Sequence, residues 1–234
     1  MYEEKIIPPK KAMPQAQDGT LRKFALRVPE VIYQCSGIMV FGKRIKSLVF
    51  STDLSIIKNV NADAIIAVYP FTPQPIITQA LLLAADIPVF AGVGGGLTKG
   101  QRVVNLAMFA EMQGATGVVL NAPTANAVVQ HVAETIDIPV VVTVARADTD
   151  FEARLQAGAN IFNVSAAAET PAIVRSIRER YPDVPIIATG GPTDESILET
   201  IQAGANAITW TPPSNGEIFR GIMAAYRDNK PHPR

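Results

Sequence analysis

Few side chains in this chain could move a proton or grip an anion, and those few set the starting point. Of its two histidines, His131 lies in a stretch with helical apolar spacing and His232 sits in the tail, so neither is placed to act as a general base. Cys35 is the single cysteine, which excludes an intrachain disulfide, a zinc-thiolate cluster and a redox pair. There is no His-Glu-x-x-His, so no cofactor is expected, although a divalent ion held by carboxylates stays open. Asp53 and Arg146 are then the charged candidates for catalysis. In Ser51-Thr-Asp-Leu-Ser, Asp53 is either an acid or base or the N-cap of a following helix. Arg146 either clamps a carboxylate or phosphate in fork geometry or pairs with Asp148 or Asp150 in its own loop. Tyr69, Asn121, Asn163 and Thr189 are neutral groups able to orient a substrate, while Lys99 sits in a glycine-rich loop that suits positioning better than a Schiff base. Gly94-Gly-Gly96 and Gly190-Gly191 allow a ligand close to the backbone and can aim N–H groups at an anion, and Ser214-Asn215 adds a hydroxyl and an amide.

The elements that must carry these residues are legible as an internal repeat. Three segments open alike: Asp86-Ile-Pro88-Val-Phe-Ala, Asp137-Ile-Pro139-Val-Val-Val and Asp183-Val-Pro185-Ile-Ile-Ala, with prolines 51 and 46 residues apart. Proline is tolerated at the first residue of a strand, and unbroken β-branched runs suit strands buried on both faces. Between them fall Gln113-Gly-Ala-Thr-Gly, Gln156-Ala-Gly-Ala-Asn and Gln202-Ala-Gly-Ala-Asn, with a weaker form at Asn61-Ala-Asp-Ala. Here glycine ends a helix in the left-handed conformation before the next strand begins. Helices are expected at Gln101–Gln113, Ala125–Thr135, Pro171–Arg180 and Ser196–Gln202, with caps at Thr149-Asp150 and Thr193-Asp194. A first strand at Ser47–Ser51, followed by a short helix over Asp53–Val60, completes eight strand–helix units. The expected fold is a single α/β (βα)8 TIM barrel of four βαβα quarters over residues 46–234. An N-terminal extension over residues 1–45 packs on it: a helix at Thr20–Arg27 and a hairpin within Gly37–Phe50, turning at Gly42-Lys43, that plugs the N-terminal mouth. In such a barrel the functional groups gather at the C-terminal ends of the strands, where all the candidates above fall.

With 48% apolar and 18% charged residues, the chain has the core material an enclosed sheet needs. Its 21 basic and 21 acidic residues give no net field, which sets aside nucleic acid and anionic membranes as partners. No run approaches the roughly 18 apolar residues of a membrane span, and the charged, proline-containing Met1–Lys11 is unlike a signal peptide; a cytoplasmic location is expected. The apolar Pro75–Ala85 stretch predicts a homo-oligomer formed through an outer helix face.

Pro185 to Pro213, with Ile-Ala-Thr-Gly-Gly, Ala-Gly-Ala-Asn and a last strand, resembles the ribulose-phosphate-binding barrel superfamily, which includes the N-acetylmannosamine-6-phosphate epimerases and thiazole synthases. The resemblance implies a phosphorylated small molecule held by Gly190, Gly191 and the loop of Ser214 and Asn215. Two departures stand beside it. Thr211-Pro-Pro-Ser214 replaces the usual glycine pair, and no strand-borne lysine or glutamate matches the epimerase set. Val89 to Thr98, with Ala-Gly-Val-Gly-Gly-Gly-Leu-Thr, is more distantly similar to the dihydrodipicolinate synthase type of lyase, but Asn163 stands where that family's lysine would be. The expected function is a metabolic enzyme, a lyase, isomerase or hydrolase, acting on a small phosphorylated or carboxylated metabolite. A non-catalytic sensor of a small anionic ligand on the same scaffold is the alternative.

Overall fold

Residues 26–232 are described by a computed structural model. The helix expected at Thr20–Arg27 lies outside the described residues but for its last two positions, which are not helical: Leu26 makes a single parallel bridge to Val60. A short hairpin comes first, β1 (Ile38–Val40) paired antiparallel with β2 (Lys43–Ile45). Its turn falls on Phe41-Gly42, both at positive φ, one residue earlier than expected. Eight parallel strands follow, β3 (Ser47–Phe50), β4 (Ala64–Ala67), β5 (Val89–Gly94), β6 (Gly117–Leu120), β7 (Val140–Val144), β8 (Ile161–Val164), β9 (Ile186–Thr189) and β10 (Ala207–Trp210). They close in chain order, β10 pairing with β3, so the chain is a TIM barrel. The helices on its outside are α1 (Leu54–Lys58), α2 (Pro75–Ala84), α3 (Gln101–Met112), α4 (Asn126–Thr135), α5 (Phe151–Gln156), α6 (Thr170–Arg180), α7 (Asp194–Gln202) and α8 (Asn215–Arg227).

The two repeated signatures are joined by hydrogen bonds. Pro88, Pro139 and Pro185 precede β5, β7 and β9, where they need donate nothing, and their carbonyls accept from Ile65, Val118 and Phe162 of the neighbouring strands β4, β6 and β8. The strand starts after two of these prolines are held by the asparagine of the next Ala-Gly-Ala-Asn. Asn160 Oδ1 accepts from the Val140 N–H at 2.8 Å and Asn206 Oδ1 from the Ile186 N–H at 2.9 Å. Asp63 does the same for Lys46 and Ser47 at the start of β3, through Oδ2 at 2.9 and 3.0 Å. These polar residues thus satisfy backbone donors at the N-terminal end of the barrel, where chemistry is not expected.

The core has two parts. One lies between sheet and helices; the other runs along the barrel axis, where Leu48, Phe90, Val141 and Ile187 are fully or almost fully buried. Ile38, Val40 and Ile45 of the hairpin belong to this axial cluster, at the N-terminal end of the strands. The strand register, with a stagger of one residue per strand, arranges the axis in layers of four side chains from alternate strands. Leu48, Phe90, Val141 and Ile187 form one; Ile66, Val119, Asn163 and Thr209 the next; Phe50, Gly92, Thr143 and Thr189 the one above. Polarity therefore enters toward the C-terminal end, and only on the β7–β10 side. Among the described residues no helix is long and apolar enough to cross a membrane.

Candidate active site

Two separate clefts open at the strand C-termini. The first, about 670 Å³, lies over β3, β4 and β10, between Thr52, Asp53, Tyr69, Asn121, Ser214 and Asn215 among others. A recess of about 220 Å³ over β5 and β6 shares Val68, Tyr69, Pro70 and Asn121 with it. The second cleft, about 620 Å³, lies over β8 and β9 and contains Ser165, Thr189, Gly190 and Gly191. The fold thus brings Asp53, Tyr69, Asn121, Ser214 and Asn215 together. It keeps Gly190 and Gly191 apart from Ser214 and Asn215, which the resemblance places in one phosphate seat.

Asp53 does cap α1. Its Oδ1 accepts from the N–H of Ser55 at 2.8 Å, from the Ser55 hydroxyl at 2.7 Å and from the N–H of Ile56 at 3.3 Å. Its Oδ2 accepts from Asn215 Nδ2, which also donates to Ser55 Oγ at 2.7 Å. The Ser55 hydroxyl, with the backbone donors and Asn215 adding to it, holds the Asp53 carboxyl below the usual carboxylate range. It is therefore an ionised acceptor at neutral pH. Asn215 joins the first and last helices of the barrel rather than facing outward as a free donor.

Tyr69 accepts from the N–H of Gln74 at 2.8 Å, which fixes the loop after β4 and leaves its hydroxyl proton to donate. Asn121 is pinned by its backbone: its N–H donates to Gly94 O at 2.9 Å and its carbonyl accepts from Thr124. The loop is tied down further by Arg154 of α5, whose guanidinium donates to Ala122 O, Thr124 O and Asn126 Oδ1. A side chain on Gly95 would collide with Thr124 Oγ1, so the β5 and β6 loops pack directly on one another. Asn163 and Thr189 are both on the axis; Asn163 Nδ2 donates to Thr143 Oγ1 at 3.4 Å and Thr189 Oγ1 to Val164 O at 3.4 Å.

The Arg146 side chain is exposed, makes the bidentate pair with Asp148 at 2.9 and 2.6 Å, and lines neither cleft. The glycines after β9 have packing reasons for being glycine. A Cβ on Gly190 would lie 2.7 Å from Ile197 and 2.9 Å from Ile208, and one on Gly191 2.6 Å from Ser196 Oγ, at a φ of 80°. Both helix N-termini that could seat a phosphate already hold carboxylates of the chain. Ser214 and Glu217 form a capping box, and Ser214 keeps Glu217 below its ordinary range. At α7 a backbone N–H and the Thr193 hydroxyl do the same for Glu195. These charges offset the helix dipole that would attract a phosphate. The Ser-x-x-Glu spacing of Ser214 and Glu217 is the sequence signal that announces such a box.

No lysine or arginine borders the larger cleft, and Asp53 is its one carboxylate. Among the described residues no three of His, Cys, Asp and Glu converge as metal ligands. A lone carboxylate already accepting four hydrogen bonds does not fit a protein-held divalent cation.

The sequence matches no protein family and no curated protein sequence. Solved structures of similar fold include a 2,3-dimethylmalate lyase described as a PEP mutase/isocitrate lyase superfamily member, at TM-score 0.61 and 12% identity over 92% of this chain and 89% of that one. A phosphonopyruvate hydrolase complexed with oxalate and Mg2+ gives 0.59 and 13%, over 80% and 84%. The 4-hydroxy-tetrahydrodipicolinate synthase of Methylacidiphilum fumariolicum SolV gives 0.58 and 16%, over 80% and 75%. Identities this low establish the TIM-barrel fold. They do not carry the finer resemblance to the ribulose-phosphate-binding superfamily, since these neighbours belong elsewhere. The motif behind that resemblance has a packing explanation: Gly190 lets Ile197 and Ile208 pack against the backbone there, and Asn206 caps the start of β9.

Proposed function

We propose that the chain is an enzyme of the lyase, isomerase or hydrolase kind that acts on a small carboxylated or phosphorylated metabolite in the cleft over β3, β4 and β10. The observation that carries this reading is the cleft itself: an ionised Asp53 faces Tyr69, Asn121 and Thr52 across about 670 Å³ at the end of the barrel where such sites form. The three solved structures above belong, by their names, to enzymes of small carboxylated or phosphorylated compounds, which supports the class. A carboxylate is favoured over a phosphate, because Glu195 and Glu217 sit where phosphate would be seated. Tyr69 and Asn121 would bind the carboxylate through neutral donors. Asp53, too weak a base to be protonated at rest, would take a proton from a ligand carbon or hydroxyl and return it within the same turnover. Arg146 would join only if a ligand displaced Asp148, and Gly190, Gly191 and Thr189 would serve a second part of a ligand long enough to cross the mouth. Self-association is also proposed, through the outer face of α2, where Ile76 and Leu83 are 67% and 81% exposed.

A ligand sensor is the second reading, favoured by the full hydrogen-bonding of Asp53 and the absence of cations in the cleft. Asp53→Asn separates the two, since asparagine still caps α1 through Oδ1 and gives up only the bond from Asn215. Under a panel of keto, hydroxy and phosphorylated acids, an enzyme loses turnover in this variant while the chain remains cooperatively folded. Full turnover in Asp53→Asn would remove Asp53 from the chemistry, and binding without turnover in the parent would establish the sensor.

A further inference from the structure

Below the mouth the barrel axis carries polar atoms that the fold itself does not use. Hydrogen-bonded partners run from Asn163 through Ile187 to Ala207, and the stagger of one residue per strand brings Thr209 level with Asn163 in the layer completed by Ile66 and Val119. Both polar residues share their inward parity with Ile161 and Ala207 of the axial core. Asn163 is 7% exposed and Thr209 5%, yet Asn163 Oδ1 and Thr209 Oγ1 have no hydrogen-bond partner among the described residues. A sealed carbonyl and hydroxyl left unpaired weaken a fold, and leucine and valine would fill the same space without that loss, as Ile66 and Val119 do opposite. The layer above is Phe50, Gly92, Thr143 and Thr189, where Val68 Cγ2 packs 3.1 Å from the place a Cβ on Gly92 would take; Phe50 borders the cleft, as do Val68, Asn121 and Thr211 above it.

The chemistry of the two orphans selects what could lodge there. Asn163 Oδ1 requires a donor, and the Thr209 hydroxyl gives or accepts one bond. Neither this layer nor the one above contains an ionisable side chain, so a carboxylate or phosphate pushed to that depth would lose its hydration without a counter-charge. An uncharged hydroxyl meets both conditions, donating to Asn163 Oδ1 while accepting from Thr209.

We propose that Asn163 and Thr209 form a hydroxyl subsite on the barrel axis, two layers beneath the Val68, Asn121 and Thr211 that border the cleft, and that the ligand is a small hydroxylated acid held with its hydroxyl inward and its charged end at the rim. This rests on the small-anion reading of the mouth given above. Thr143 acts as a positioning residue, holding the Asn163 amide so that its oxygen faces the axis.

The test uses the full chain and compounds that differ by hydroxyl groups alone: malate against succinate, and glycerol 3-phosphate against propyl phosphate, with affinity measured by calorimetry. The hydroxylated member of at least one pair binds tenfold or more tighter. In Thr209→Val that preference falls below threefold while the affinity of the deoxy partner is unchanged. Equal binding of both members of each pair, or a preference that survives Thr209→Val, overturns the subsite. A ligand-free measurement separates this from failure of the mouth reading. The double variant Asn163→Leu, Thr209→Val melts at or above the parent temperature if the pair serves a ligand, whether or not any probe binds. A fall of several degrees means that a resident water already satisfies the pair as part of the fold, and the proposal is lost.

Discussion

The two ends of the barrel are built from different materials. At the N-terminal end the hairpin inserts Ile38, Val40 and Ile45 into the axis, and the polar residues Asp63, Asn160 and Asn206 there are occupied with backbone N–H groups. At the C-terminal end the axis turns polar on one side, and Asn163 Oδ1 and Thr209 Oγ1 are left unpaired. Residue type alone therefore does not mark function in this fold. An asparagine at one mouth satisfies the backbone of a neighbouring strand, while an asparagine at the other has an oxygen with nothing to accept.

The largest expected effect lies at the N-terminal end. Ile45→Ala, at a side chain 2% exposed, should lower the unfolding free energy by about 2–5 kcal/mol in denaturant titrations. Ligand affinity of the folded fraction should not change; a matching loss of affinity would break the division between a structural and a functional mouth. Next, Gly190→Ala forces a methyl against Ile197 and Ile208 and should cost about 1–3 kcal/mol with or without phosphate present. A variant as stable as the parent that had lost phosphate binding would restore the phosphate seat.

Smaller again is Asp53→Ala, which removes the cap of α1 and should cost about 1 kcal/mol at pH 7, with Asp53→Asn, which keeps the cap but loses the bond from Asn215, between it and the parent. Because the folded-state carboxyl titrates below its unfolded value, this contribution is present above about pH 3.9 and is lost as the pH falls through the depressed folded value. Melting curves of parent and Asp53→Ala should converge as the solution is acidified; a gap that widened instead would give the wrong sign to the shift. Smallest is the behaviour of Cys35, whose thiol burial pushes up to about 12. A thiol reagent at pH 8 should leave it unmodified in the native chain and label it only as the chain unfolds, which makes it a reporter for the N-terminal side of the molecule.

Much of this architecture is legible in the amino-acid sequence, because the barrel repeats its local instructions. The three prolines and the three glycines at 114, 158 and 204 each mark a boundary through backbone conformation, and the expected helices over residues 101–113, 125–135 and 171–180 are met to within a residue. The candidate site is legible only as a set of strand ends. What the sequence does not display is which partner each side chain takes: Asn215 is 162 residues from Asp53, and that bond decides that both face a joint between helices as well as a cleft. Arg146 keeps the local partner two residues away because nothing draws it inward. Thr209 gives no signal of its own, since a threonine in a strand is ordinary until register shows it level with Asn163 and unpaired.

The most direct test of the claim that the C-terminal mouth is the functional end is amide hydrogen exchange with and without a compound found in the acid panel. Exchange should slow at residues 51–56, 69–74, 121–124 and 211–217, with the hairpin at 38–45 unchanged. Protection confined to the hairpin and to the strand starts held by Asp63, Asn160 and Asn206 would place the ligand at the opposite end and contradict it.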